Sequence, residues 1–166
     1  MMYDVAIEQL DLMAVFDLKG SVDDLSKWCG SELPDFPDKP MSYTAKDGLE
    51  LLHVGRDNWL LRAPLEKEDM LTQTLRPADA PDDISIVRVS DVYTFFSVQG
   101  PENDEVMAVA TSLDVQDNAF TANSAAFSEV YSTKALVMRV GDAYHVGVDR
   151  SFGPMIADYF GRTIAD

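Results

Sequence analysis

The 166-residue chain carries 29 acidic and 13 basic residues, a formal net charge of −16, with 46% hydrophobic residues and a single cysteine. That charge repels nucleic-acid backbones and anionic membrane surfaces, and the apolar fraction is that of a globular protein, not of a disordered one. Cys29 alone forms no intramolecular disulfide, the start MMYDVAIEQLDLM is acidic where a secretory signal is basic, and no apolar run nears the roughly 20 residues of a membrane helix, so the expected location is the cytoplasm. The acidity answers to solubility or salt adaptation as readily as to a basic partner.

Residues 3–8 and 12–19 read as two short strands. Gly20 breaks the second, and Ser21 with Asp24 three positions on forms a capping-box signature. The helix that follows places Val22, Leu25, Trp28 and Cys29 on one face, until Gly30 and the cluster Pro34, Pro37 and Pro40 end it. Three extended segments come next, 42–45, 49–54 and 59–63. Their turns are Lys46-Asp47-Gly48 and Gly55-Arg56-Asp57-Asn58. Pro64 opens a second helix, 65 to about 75, with Met70, Leu71 and Leu75 inward. Pro77, Pro81 and their acidic neighbours mark the clearest linker.

The second half repeats this order. Strands are predicted at 84–89 and 93–99; in the latter Tyr93, Phe95, Ser97 and Gln99 face one way and Thr94, Phe96 and Val98 the other, a strand covered on both sides. Gly100 ends it and Pro101 takes the first helical position, with Val106, Val109, Ala110 and Leu113 as the apolar stripe. After a polar stretch at 114–124 come strands at 127–131, 135–140 and 144–148. The last helix starts near Ser151, with Phe152, Ile156, Phe160 and Ile164 on its buried stripe.

The halves overlay: Gly20-Ser21 through Leu25 falls on Gly100-Pro101 through Val106, and Leu52-His53-Val54-Gly55 through Trp59 falls on Met138-Arg139-Val140-Gly141 through Tyr144. A repeat of about 80 residues is a duplicated half-domain, too long for a solenoid unit. The expected architecture is a single α+β domain, 1–166, of two β-β-α-β-β-β-α halves at about 1–78 and 83–166.

Chemistry-bearing residues are scattered. Cys29, His53 and His145 are each isolated, and the two histidines sit in matching strand positions, which reads as satisfied or solvated side chains and not as zinc ligands. The acids Asp23/Asp24, Glu66/Glu68/Asp69 and Glu102/Asp104/Glu105 fall in first turns, where the helix dipole favours them and where they make poor phosphate cradles. Only the last helix lacks an acid there. Asp114, Asp117, Asn118 and Glu129 fail as a calcium loop, since Ala122 stands at the central glycine and Glu129 comes one place late. No GxGxxG, GxxxxGK or GxSxG occurs. No catalytic, cofactor-binding or metal residue is therefore assigned, and Trp28 and Trp59 read as core or interface anchors.

Val89-Ser90-Asp91, the Gly100-Pro101 helix start, Ser112-Leu113-Asp114, Phe120 and Arg150-Ser151-Phe152 follow one another in an order that resembles the gamma subunit of heterotetrameric sarcosine oxidase and related N-methyl amino acid dehydrogenases, over residues 49–166 and best in the second half. The resemblance implies a fold like the folate-binding domain of the glycine-cleavage aminomethyltransferase, with two interlocked halves. It implies a complex whose alpha subunit binds NAD and tetrahydrofolate, whose beta subunit carries FAD with FMN near the alpha–beta boundary, and whose delta subunit binds zinc. The gamma subunit of such a complex binds no cofactor. For this chain the implied role is a non-catalytic assembling subunit of a machine that demethylates sarcosine or a related N-methyl amine and passes the one-carbon unit to tetrahydrofolate, with Trp59, Arg150 and Phe152 as interface residues. The lysine-glycine-cysteine signature of folate-dependent iron–sulfur repair proteins is missing. The alternative, a stand-alone folate-binding or one-carbon transferase domain, rests on fold alone.

Overall fold

Tight turns with left-handed backbone set the hairpins. Asp47-Gly48 (φ 53° and 80°), Tyr131-Ser132 (49° and 61°) and Gly141, with φ 58°, followed by Asp142 each join two strands through two residues, the geometry that matches strand twist. The computed structural model describes residues 2–165; Met1 and Asp166, the ends of the expected 1–166 domain, lie outside them. Along the chain come β1 (Ala6–Gln9), β2 (Met13–Lys19), α1 (Val22–Cys29), β3 (Tyr43–Lys46), β4 (Leu49–Gly55) and β5 (Asn58–Pro64). A 3₁₀ turn (Leu65–Lys67) then runs into α2 (Glu68–Leu75). A second 3₁₀ turn, Pro77–Asp79, leads to β6 (Ser85–Arg88), β7 (Tyr93–Gln99), α3 (Asn103–Ala110), β8 (Ala125–Val130), β9 (Thr133–Val140) and β10 (Ala143–Asp149). A third, Arg150–Phe152, precedes α4 (Gly153–Ala165). The expected duplicated α+β order is all present.

The strands form two antiparallel sheets, ordered β3-β4-β5-β2-β6 and β8-β9-β10-β7-β1. The two orders are the same once the repeat is laid over itself, with one feature that interlocks the halves. The first strand of each half closes the other half's sheet: β1 pairs with β7 in the register Ala6↔Gln99, and β6 pairs with β2 in the register Leu18↔Ile86. The chain accordingly groups into two compact units, Leu12–Ser90 and the residues up to Asp11 together with those from Asp91 onward.

One glycine in each half makes room for the exchanged strand. Gly20 (φ 142°) and Gly100 (φ 145°) follow β2 and β7, and a Cβ on Gly20 would stand 2.8 Å from Ile84 Cγ2 at the approach to β6. On Gly100 it would collide with the Asp4 carbonyl oxygen and stand 2.8 Å from Val5 Cα at the approach to β1. Neither the backbone angle nor the space admits a side chain.

In the Leu12–Ser90 unit, Phe16, Leu18, Leu51 and Leu61 of the sheet pack on Leu25 and Cys29 of α1 and on Leu71 and Leu75 of α2. In the other unit Phe96, Val98, Val146 and Val148 pack on Val106, Met107 and Ala110 of α3 and on Ile156 and Phe160 of α4. Each Val, Leu, Ile, Phe or Met among them contributes about 1.5–3 kcal/mol on burial. The second faces of both sheets are buried too, through Val15, Leu52 and Leu60 in one and Phe95, Leu136 and Met138 in the other, which agrees with a β7 covered on both sides.

Helix phasing and helix boundaries correct five expectations. Asn103, Val106, Met107 and Ala110 form the buried stripe of α3, at i, i+3, i+4 and i+7, which turns Val109 outward to 59% exposure. Pro101 lies in the turn before α3, whose N-cap is Glu102. Leu71 and Leu75 define the inner line of α2, leaving Met70 45% exposed. Phe152 sits in a 3₁₀ turn, and its tighter winding takes the ring off the Ile156–Phe160 line to the surface. Val22, at the first position of α1, is exposed as well. The stretch after Pro77 is a packed connection, with Ile84 buried in the unit's core and its N–H bonded to the Pro81 carbonyl at 3.1 Å.

Gly100→Ala is expected to lower unfolding free energy by about 2 kcal/mol or more, through strain and displacement of β1. Gly161→Ala, in α4 where a Cβ meets nothing within 4 Å, is expected to raise it by about 0.5–1 kcal/mol. Urea denaturation of both variants against the parent reads the two signs.

Candidate functional site

The Arg150-Ser151-Phe152 turn is a fixed protrusion at the end of β10. Asp149 Oδ1 accepts from Ser151 N at 2.9 Å and Ser151 Oγ at 2.6 Å, and the Arg150 N–H donates to the Val92 carbonyl at 2.7 Å. Those two bonds from Ser151 hold the Asp149 carboxyl below its usual range. Phe152 and Val92, 45% and 42% exposed, stand at the mouth of a cavity of about 290 Å³. Tyr93, Phe127, Lys134 and Gly147 also line it. Gly147 is required there: a Cβ would lie 2.5 Å from the ring of Phe95, which crosses the strand at that point and stacks on Tyr93 at 5.7 Å. Lys134 turns its ammonium over Phe127, 4.9 Å from the ring centre. Arg150 is exposed beside the cavity.

Trp59, the other residue singled out as an anchor, is 3% exposed. His53, its register partner across β4 and β5, stacks on it at 4.1 Å, Phe36 meets it edge-on at 5.0 Å, and its Nε1–H donates to the Gly20 carbonyl at 3.3 Å. The matching position in the other unit holds Tyr144. Its register partner Arg139 lies 4.6 Å over the ring, and Phe120 stacks at 6.4 Å. Trp28 is half-buried, donating to the Leu75 carbonyl at 2.6 Å at the end of α2 under the guanidinium of Arg76.

Arg139 and Tyr144 carry a polar network that sequence reasoning missed, although the overlay of residues 52–59 on 138–144 already aligned them with His53 and Trp59. Arg139 donates to the carbonyls of Val115 (3.1 Å) and Phe120 (3.3 Å) and to Asp117 Oδ1 (2.9 Å). The single Tyr144 hydroxyl proton is shared between Asp104 Oδ1 (2.5 Å) and the Val115 carbonyl (3.1 Å). Burial and the bond to Asp104 push its phenol well above the usual range. Asp117 is 90% exposed, so its ion pair contributes little, and the buried carbonyl bonds dominate. The network fastens the segment between α3 and β8.

The first-turn acids lie at or beside helix starts as expected, and several also tie down distant chain. Glu68 accepts from Ser90 Oγ at 2.6 Å, and Ser90 Oγ in turn accepts from Val15 N at 3.0 Å. Glu102 Oε2 accepts from Asp4 N at 2.6 Å. Cys29 is buried, and burial pushes its thiol up to about 11. Among the described residues no three His, Cys, Asp or Glu side chains gather to hold a metal, and no helix is long and apolar enough to cross a membrane.

Arg139→Met is expected to lower stability by about 2–4 kcal/mol by stranding the buried Phe120 carbonyl and leaving that of Val115 only a share of the Tyr144 proton, and Tyr144→Phe by about 1–2 kcal/mol; both should speed proteolysis within residues 111–124, read by timed digestion and mass spectrometry. The Cys29 thiol, raised from 9.0 to about 11, is roughly a thousandth ionised at pH 8 and should react with a disulfide reagent only on unfolding. Because the unfolded chain ionises first, this group's stabilisation is complete below pH 9 and is lost as pH rises through about 11.

The sarcosine oxidase, gamma subunit family matches residues 30–166. A chain of heterotetrameric sarcosine oxidase from Corynebacterium sp. U-96, solved with pyrrole 2-carboxylate, superimposes with a TM-score of 0.85 at 18% identity, over 97% of this chain and 84% of that one. The glycine cleavage system aminomethyltransferase T from Bartonella henselae superimposes with a TM-score of 0.67 at 13% identity, over 96% of this chain and 46% of that one. No curated protein matches significantly by sequence. With the two sheets in the duplicated, interlocked order and the family pattern running from Gly30, just past α1, through α4, the chain belongs to the sarcosine oxidase gamma subunit family.

Proposed function

We propose that this chain is a non-catalytic, assembling subunit of a cytoplasmic heterotetrameric complex of the sarcosine oxidase type, together with alpha, beta and delta subunits. The observation that carries the reading is the family match across residues 30–166. The likeness to a chain of a heterotetrameric sarcosine oxidase supports it. The complex oxidises the N-methyl group of sarcosine or a related amine with flavin and passes the one-carbon unit to tetrahydrofolate. FAD, FMN, NAD and tetrahydrofolate reside on the larger subunits and zinc on the delta subunit. The chain's contribution is a docking surface, with Arg150 and Phe152 exposed on the unit from Asp91 onward and Trp59 packed inside the Leu12–Ser90 unit.

The test is purification of tagged full-length chain from its native cytoplasm, with flavin absorbance read on the eluate. Larger flavin-bearing subunits are expected to co-elute in equal stoichiometry. A colourless single band would refute the reading, and folate titration of that band would then examine the solitary-domain alternative.

A further inference from the structure

The cavity beside the Arg150–Phe152 turn combines features that a docking socket needs. Its mouth carries two exposed apolar side chains, Val92 and Phe152, held side by side by the Arg150 N–H bond to the Val92 carbonyl at 2.7 Å. Its floor is aromatic, and Phe95 pinned across Gly147 makes that floor stiff. A volume of about 290 Å³ is at the lower bound of small-molecule sites and suits one large side chain. Exposed apolar side chains around a preformed hollow mark interaction surfaces, and a hollow that is already shaped costs little ordering on binding.

Charge narrows the occupant. Lys134 directs its ammonium onto Phe127, whereas the contacts of the exposed Asp149 run through Oδ1, leaving Oδ2 for an incoming cation. Asp91 and Arg150 are the other exposed charges next in sequence to these lining residues. The chain as a whole carries a net charge of −16, which draws a basic surface toward it.

We propose that this cavity is the socket for a segment of a partner subunit that inserts one large apolar side chain between Val92 and Phe152 and sets an adjacent lysine or arginine against Asp149. The assignment rests on the assembly reading above and adds to it the place and chemistry of the contact.

The experiment uses full-length chain and the purified alpha, beta and delta subunits of its own complex, with affinity measured by interferometry at low and high salt. Val92→Lys, at an exposed position, is expected to weaken binding roughly tenfold or more while thermal unfolding is unchanged. Val92→Glu should weaken it less, and parent affinity should fall with salt. Phe152→Ala should also lose roughly tenfold. Tight assembly by the parent with all three variants unaffected overturns the socket and leaves the assembly reading intact. Equal loss for Val92→Lys and Val92→Glu overturns the basic partner. A parent that dimerises by itself, and whose dimer Val92→Lys dissolves, overturns the heterologous occupant. Failure of the parent to bind the other subunits at all overturns both readings.

Discussion

Each sheet in this protein is closed by a strand from the other sequence half. β1 lies against β7, and β6 against β2, so a chain cut at the repeat boundary would leave each half with an open sheet edge, a row of unpaired backbone groups. The exchange depends on close backbone approach. Gly100 admits Asp4 and Val5, Gly20 admits Asp83 and Ile84, and both have φ angles that side chains rarely adopt. Once those two approaches are allowed, the remaining order of hairpins and helices is local. The non-local pairings are the slow step to be expected in folding, since their loop closure comes before any reward.

Above this frame the two halves diverge in a controlled way. Each places a large ring on its fifth strand, Trp59 or Tyr144, backs it with a residue across the hairpin, His53 or Arg139, and brings an aromatic from the preceding irregular segment, Phe36 or Phe120, against it. The first set is aromatic throughout. The second substitutes a guanidinium and a phenol, whose donors satisfy the carbonyls of Val115 and Phe120 that the irregular segment buries. A second internal charge, Arg62, is met bidentately by Glu50 across the same hairpin as His53, at 2.9 and 3.1 Å. Arg139 and Tyr144 thus hold irregular backbone in register, and Arg62 with Glu50 ties two regular strands.

Legibility in the sequence followed the range of the interaction. Ser21 with Asp24 announced α1, and the structure has Ser21 Oγ accepting from Asp24 N at 3.1 Å; Asp47-Gly48 announced its hairpin; the spacing of Ile156 and Phe160 announced α4. Met70 and Phe152 misled because each lies within a turn of a helix start, where one residue of offset rotates a side chain by about 100°; Val109, near the end of α3, adjoins the stripe residue Ala110 without sharing its face, and Pro101 lies just before that helix. The exchange of β1 and β6 left no local trace, since a strand pairs equally well with either sheet until packing decides. The cavity beside Phe152 was half legible. Arg150-Ser151-Phe152 stood out as a motif, but its other walls come from β7, β8 and β9, and only the fold gathers them. Arg139 appeared in the sequence only as the overlay partner of His53, because nothing in its neighbourhood of sequence names the carbonyls it serves.

The acidity has two parts with different physical meaning. Some carboxylates are committed: Glu50 to Arg62, Glu68 to Ser90 and Arg88, Glu102 to the Asp4 N–H, and Asp104 to Tyr144. These act over contact distance; salt screens little of the Glu50–Arg62 pair, with Arg62 2% exposed, and more of the Glu68–Arg88 pair, with Arg88 60% exposed. The majority are exposed and uncommitted, and at physiological ionic strength their mutual repulsion fades beyond about 8 Å. They therefore weigh little on the stability of either unit, whose cores are built from the apolar faces of sheet and helix. What they control is encounter. A basic protein surface is drawn toward the chain at long range, an acidic one is turned away, and the apolar ring at Phe152 can discriminate only among partners that the field has already admitted.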